Sequence, residues 1–330
     1  MKISFGAAVP LHGRLGPNRV DFLREAARTL EESPIDSIWI EDHFRLPANE
    51  IEASEGKSMI DEPLEAWTTL ASLATMTKRV MLGTEVTPMT LRNPAMLAKV
   101  VANVDILSAG RVILGAGAGW NKKEFVMQGV PFEEREARFE KMNEAVEVVK
   151  LLWTSDEVNY SGKYFTLRAA CVAPKPVSKP HPPIWFGGFS ELILRAVAKH
   201  GDGWINATNA HPNEVREQIR HLKLLLADAG GRGMDELRIC VPLLAMVAND
   251  KEVALRRAEE YMDRGKFDKT LRFFADTIDY GLVGTPEHCI SRIKEYTSIG
   301  VDTILFDVRP ASNTFSSLKL LCDEVIPSFA

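Results

Sequence analysis

Only four cysteines occur in the 330 residues, at positions 171, 240, 289 and 322, and none forms a C-x-x-C pair or stands at a zinc-like spacing from histidine. A disulfide framework and a zinc module are therefore excluded, and the cysteines read as free, buried thiols of a reducing cytoplasm. Long apolar runs are also missing: none approaches the roughly 18 residues that a membrane span requires. The start, "MKISFGAAVPLHG", has one lysine and an apolar run broken by Pro10, so it reads as a buried first strand rather than a signal peptide. Neither sign of charge dominates, with 40 Lys and Arg against 45 Asp and Glu and a net charge of −5. The basic residues are scattered, which argues against nucleic-acid and polybasic membrane partners. No internal repeat or low-complexity linker divides the chain. One domain over 1–330, in the cytoplasm, is the expectation.

What is present is alternation. Strand-like runs at 3–10, 36–41, 79–86, 111–116, 183–187, 202–206, 237–247 and 301–307 are separated by helix-length amphipathic segments. Near-continuous apolar strands between helices suit a parallel sheet buried on both faces. Eight such units favour an α/β fold of the (β/α)8 TIM-barrel type with insertions; a doubly wound open sheet is the alternative. The helical segments include 63–76, with Pro63 suited to a first turn, 94–108 and a long one at 133–153. Residues around 155–181 break the rhythm. A Ser161-Gly162 turn lies between aromatic-containing runs, and five prolines follow between 174 and 183. This reads as a β-hairpin insertion and a stiff connector.

In a barrel, chemistry collects at the C-terminal ends of the strands. After the second strand come Asp42 and His43, and an imidazole there suits hydrogen bonding or proton movement, or simply ties down the loop. Glu85 ends the third strand, either facing the mouth or as a solvated strand end. After the fourth comes "LGAGAGWNKKEF" (114–125), whose G-x-G-x-G spacing is not the dinucleotide fingerprint. Trp120 within it either stacks on a flat ligand or plugs the mouth. After the fifth strand, "GGFSE" (187–191) opens a helix, with two glycines, Ser190 as a cap and free amides at a positive dipole end. It is either an anion site suited to a phosphate or an ordinary capped helix. "NATN" (206–209) follows the sixth strand. Asp61 and Glu62 read as helix-dipole partners rather than an acid pair. No lysine stands where a Schiff-base aldolase would need one, and no His/Asp cluster has metal-ligand spacing.

Several segments together resemble the bacterial luciferase-like family of flavin-dependent monooxygenases and deazaflavin-dependent oxidoreductases. They are "DSIWIEDHF" (36–44), "LGTEVTPMTLRNPAMLAKVVANVDILSAGR" (82–111), the stretch 107–154 containing "LGAGAGWNKKEF", "YFTLRAACVAPKPVSKPHPPIWFGGFSE" (164–191), "HGDGWI" (200–205) and "LVGTPEHCISRIKEYTSIGVDTILF" (282–306). The order is kept over almost the whole chain. The resemblance implies a flavin-like ring at the barrel mouth, over a non-prolyl cis peptide matching Glu85–Val86. Gly119 and Trp120 of the strand-four loop would lie against that ring. The phosphate would sit at Gly187, Gly188, Phe189 and Ser190, with His43 beside the ring as the catalytic residue. It further implies a homodimer with a small-molecule substrate.

Departures narrow the function. The sugar-phosphate dehydrogenases of this family carry a glutamate where Trp120 stands, and a phosphate-binding lysine where Asn209 and Ala210 stand. Oxidation of a phosphorylated sugar is disfavoured. The cofactor is coenzyme F420 or FMN, and the "WNKKEF" and "GVPFEER" segments lean toward the deazaflavin and hydride transfer. The alternative is a monooxygenase using reduced FMN and oxygen, served by a separate flavin reductase. A non-catalytic flavin-binding barrel and a cofactor-free lyase are the readings from other classes. Segments 44–62 and 266–284 are candidate lids.

Overall fold

A computed structural model describes residues 3–11, 19–44, 63–230, 232–265, 277–308 and 314–329. The expected lids fall largely outside the described residues, as do Asp61 and Glu62. The chain runs β1 (Ser4–Ala8), α1 (Arg19–Glu31), β2 (Ser37–Ile40), α2 (Ala66–Met76), β3 (Met81–Thr84), β4 (Thr87–Pro88), α3 (Pro94–Leu107) and β5 (Val112–Gly117). It continues through α4 (Lys122–Met127), α5 (Arg135–Thr154), the hairpin β6 (Val158–Ser161) and β7 (Thr166–Ala170), then β8 (Ile184–Gly187) and α6 (Glu191–His200). The last third holds β9 (Gly203–Ile205), α7 (Pro212–Asp228), β10 (Arg238–Val247), α8 (Lys251–Gly265), α9 (Thr277–Tyr280), β11 (Leu282–Gly284), α10 (Pro286–Thr297), β12 (Thr303–Asp307) and α11 (Thr314–Leu320).

Strands β1, β2, β3, β5, β8, β9, β10 and β12 pair in that order, all parallel, and β12 pairs back with β1. The sheet is thus a closed barrel of the TIM type, and the open doubly wound alternative is overturned. β4 extends the wall beside β5, and β11 pairs with the far end of β10. The hairpin lies outside the barrel. Its turn is held by the Glu144 carboxylate of α5, which accepts the amides of Lys163, Tyr164 and Phe165. The proline connector is anchored through Ser178, whose amide and hydroxyl both donate to Asp105.

Strand alternation divides the core in two. Ala8, Trp39, Ile113, Trp185, Ile205, Cys240 and Leu305 point inward, one from each of seven barrel strands. Their neighbours, such as Ile38, Leu82, Leu114, Phe186 and Phe306, point outward against the helices. Because both faces are buried, the strands read as apolar without alternation. Two tryptophans fill the interior, Trp39 and Trp185, with ring centroids 5.2 Å apart. The top layer is built differently. Gly115 and Gly117 on β5 and Gly187 on β8 occupy inward positions, and the Val86 side chain lies over all three. A Cβ at Gly117 or Gly187 would stand 2.6 Å from a Val86 methyl, and one at Gly115 would overlap the Thr84 carbonyl oxygen.

Sequence and structure differ in four places. The expected strand 79–86 is interrupted, because the Glu85–Val86 peptide bond is cis and pairing resumes only at Thr87. Helix α2 starts three residues after Pro63, because the Glu65 carboxylate caps it by accepting the amides of Trp67 and Thr68. The short helix α4 was not expected at all. Of the four cysteines, all free, Cys240 and Cys289 are buried but Cys171 is exposed and Cys322 half-buried.

The glycine notch is testable. Gly115→Ala, Gly117→Ala and Gly187→Ala each cost about 1–3 kcal/mol as overpacking. In double-mutant cycles with Val86→Ala, strong favourable coupling is expected for positions 117 and 187. Weak coupling is expected at 115, where the obstacle is backbone. Denaturant midpoints give the readout, and equal coupling at all three positions would contradict the geometry.

Candidate active site

The C-terminal ends of the barrel strands bring together the loops that follow β2, β3, β5 and β8. β2 and β3 are adjacent in register, Ile40 opposite Thr84, and the Glu85 amide donates to the Ile40 carbonyl at 2.8 Å. Beyond Ile40, Asp42 is 3% exposed and receives Arg92 in two hydrogen bonds, of 2.6 and 3.1 Å. Burial pushes the Asp42 carboxyl up, and the Arg92 guanidinium opposes that push. Arg92 also reaches Glu65 at 2.9 Å, so one cation staples the strand-two loop to the start of α2. Burial works against that cation, but the two carboxylates outweigh it and raise its pKa.

The carboxylate that serves His43 is therefore not its sequence neighbour. Glu124, on α4, places both oxygens 3.0 and 3.1 Å from His43 Nδ1, and its Oε1 accepts the Phe44 amide at 2.7 Å. The Trp120 ring meets the imidazole edge-on, with centroids 5.8 Å apart and planes at 79°. Sequence reasoning missed Glu124 because six helical residues show no periodicity. A signal was present nonetheless: Asn121 caps α4 through the Lys123 amide, and Glu124 stands three positions on, an N-x-x-E start pattern.

Glu85 continues the inward face of β3 after Met81 and Gly83. Its Oε2 is buried and has no hydrogen-bond partner. Burial pushes its carboxyl well above the usual range, and the Asp307 carboxylate on β12 adds to the shift. Glu85 is accordingly held as the neutral acid. The Cys240 thiol beneath it is pushed up by burial first and by Glu85 second, and stays protonated.

Val86 connects this floor to the β8 loop through its contact at Gly187. Ser190 occupies the N-cap of α6 in extended conformation, yet its side chain makes no cap hydrogen bond, and its Oγ is buried without a partner. The expected cap is thus absent, and the hydroxyl is an orphan beside the Glu191 and Leu192 amides that start α6, while the Ile193 amide donates to the Ser190 carbonyl at 2.9 Å. Such a donor set fits a phosphate. Gly188 shapes this turn at φ +126, a left-handed value that favours glycine. Its amide is committed to the Ile205 carbonyl and its carbonyl to Trp204 Nε1, so it adds no donor. Trp120 and Phe189 are 56% and 49% exposed, two aromatic faces at the same end of the barrel.

The glycines of "LGAGAG" are required by packing inside the protein. Gly115 and Gly117 make room for Val86, and at Gly119 (φ +75) a Cβ would strike the Phe125 ring at 2.6 Å. The asparagines after β9 are built into the wall. Asn206 donates to Gln218 at 2.9 Å, and Asn209 accepts the Leu244 amide at 2.8 Å. No helix among the described residues is long and apolar enough to cross a membrane.

A family model described as luciferase-like monooxygenase matches residues 1–303. An F420-dependent glucose-6-phosphate dehydrogenase of Amycolatopsis mediterranei is 26% identical over 99% of this chain and 98% of its own. The monooxygenase RslO1 of Streptomyces bottropensis superposes with a TM-score of 0.82 at 22% identity, covering 99% of this chain and 100% of its own. An F420-dependent secondary alcohol dehydrogenase, solved with an F420–acetone adduct, gives 0.79 at 23% identity with both chains fully covered. The two structures share the barrel fold.

Because Glu85 is favoured neutral, the stability tied to it is complete below the ordinary carboxylate value of 4.5 and is lost as pH rises toward its own higher value. Wild-type protein should lose stability relative to Glu85→Gln as pH rises above the ordinary carboxylate value of 4.5. Parallel pH dependences of the two denaturation midpoints would mean that Glu85 ionises freely.

Proposed function

The chain belongs to the luciferase-like monooxygenase family, and on that premise we propose that it is an oxidoreductase using coenzyme F420 to exchange a hydride with a small, non-phosphorylated organic substrate. The observation that carries this reading is the convergence at one barrel end of His43, the Val86 floor and the orphaned Ser190 hydroxyl. The F420-dependent relative that aligns over 99% of the chain supports the choice of cofactor.

Bound there, the deazaflavin supplies a two-electron hydride donor or acceptor. The protein's part is to hold and shield. The Ser190 hydroxyl and the Glu191 and Leu192 amides of α6 would hold the phosphate by hydrogen bonds and dipole. Glu85–Val86 forms the floor, while Trp120 and Phe189 place aromatic surface at the mouth and exclude water. His43 takes up or returns the proton of the substrate oxygen. The side chain of Asn209 is committed to the β10 backbone, and position 120 carries an indole rather than a carboxylate. Neither position offers what a phosphorylated sugar would need, so the substrate differs from that of the dehydrogenase relative. We place the protein in the cytoplasm as a homodimer.

The family's description favours a second reading, a monooxygenase that takes reduced FMN from a separate reductase and uses oxygen. Titration of purified protein with F420 and with FMN separates the two. F420 is expected to bind with micromolar affinity and FMN more weakly; tight FMN binding alone would move the assignment to the second reading. Failure of both to bind below about millimolar would remove both readings. His43→Ala should keep cofactor affinity and lose about 100-fold in turnover. Binding without turnover of any alcohol, ketone or oxygen-dependent substrate would point to a flavin-binding barrel.

A further inference from the structure

We propose that Glu124 is a positioning residue that fixes His43 as the Nδ1–H form and so assigns Nε2 as the nitrogen that exchanges a proton with the substrate. The catalytic half of this inference rests on the function proposed above; the tautomer rests on geometry alone. A backbone amide only donates, so Phe44 N–H at 2.7 Å fixes Glu124 Oε1 as an acceptor. Taken as the carboxylate, Glu124 has no proton to give, and both of its oxygens stand 3.0–3.1 Å from Nδ1. Nδ1 must then carry the hydrogen, and in the neutral ring the lone pair falls to Nε2.

Three features of the surroundings reinforce the assignment. Glu124 is 4% exposed, so its hydrogen bonds are made in a medium where charge-assisted pairs are strong. Asp42, the nearest rival in sequence, is held by the double hydrogen bond from Arg92 and does not compete for the imidazole. Trp120 abuts the ring edge-on, limiting its rotation. One side chain thereby sets both the ring and the backbone that carries it, from a helix eighty-one residues away in sequence.

Substitution by glutamine gives a specific outcome. In Glu124→Gln the amide oxygen stays on Phe44 N–H, and the amide nitrogen takes the place of Oε2 facing Nδ1. A donor now faces that nitrogen, so Nδ1 must accept and the hydrogen moves to Nε2: the tautomer inverts.

The experiment is long-range 1H–15N correlation of protein labelled on histidine, without cofactor, at about pH 8, above the ordinary histidine range, with His43→Ala to identify the signals. Wild type is expected as Nδ1–H and Glu124→Gln as Nε2–H, with F420 affinity unchanged and turnover lowered about 10–100-fold. An Nε2–H ring in the wild type, or no change on substitution, overturns the proposal. The wild-type spectrum decides this even if the variant fails to fold. An inverted tautomer with undiminished turnover leaves the geometry standing and overturns the proton role of His43 in the proposed reaction. Absence of F420 binding with the expected tautomers would sink the functional reading alone.

Discussion

The candidate site depends on a steric agreement among three strands. Val86 reaches over the top of the barrel, and there is space for it only because positions 115, 117 and 187 carry no side chain. That contact ties the end of β3 to β5 and to β8, whose next residues build the phosphate-like turn. The floor and the proposed anion grip are therefore not independent of each other. They are two ends of one packed layer, in which a methyl group added on β8 would displace the floor beneath the mouth. Close packing transmits such shifts because the interior has no slack. Two inward tryptophans below complete the filling, so the mouth is a surface laid on a solid core.

Two glutamates at this end of the barrel show how environment assigns different duties to one side chain. Glu124 is buried with two donors facing it and serves as an acceptor that fixes a neighbour's geometry. Glu85 is buried with one oxygen unsatisfied and a second carboxylate, Asp307, close enough to raise it. Desolvation without a partner is what keeps an acid neutral at ordinary pH. A neutral acid also gives the floor a hydrogen-bond donor that an ionised one would lack. The pair thus places an acceptor-only group behind His43 and a potential donor under the site, a separation of roles that composition alone does not encode.

The barrel is legible in the sequence because its cause is local: eight apolar runs with helices between them need no knowledge of partners. The positions of Glu85, His43 and "GGFSE" at strand ends and a helix start are also legible, and the cis Glu85–Val86 bond agrees with what the family resemblance implies. The glycines of 114–119 show what local pattern leaves out. Their two-residue period announces one face of a strand, and Gly115 and Gly117 do point inward. What occupies the space is the side chain of Val86, between β3 and β4, and no local pattern names it. Glu124 was hidden for a related reason. Six residues are too few for helical periodicity, and the link from position 124 to position 43 exists only after the barrel closes. Ser190 shows the converse, since the cap expected from its position is not made and its hydroxyl is left over.

On the function proposed above, positions 120 and 209 are where a substrate would meet the protein. Trp120 offers a broad apolar face and leaves its charged duty unfilled, while Asn209 turns its carbonyl into the wall at a φ of +54. An asparagine there satisfies a β10 amide that a lysine could not, having no acceptor to give. Restoring the phosphate-binding lysine would thus cost a buried hydrogen bond as well as add a charge. On the function proposed above, substrate preference would in this way be tied to the packing of the barrel wall, because a lysine at position 209 would leave the Leu244 amide of β10 without its acceptor.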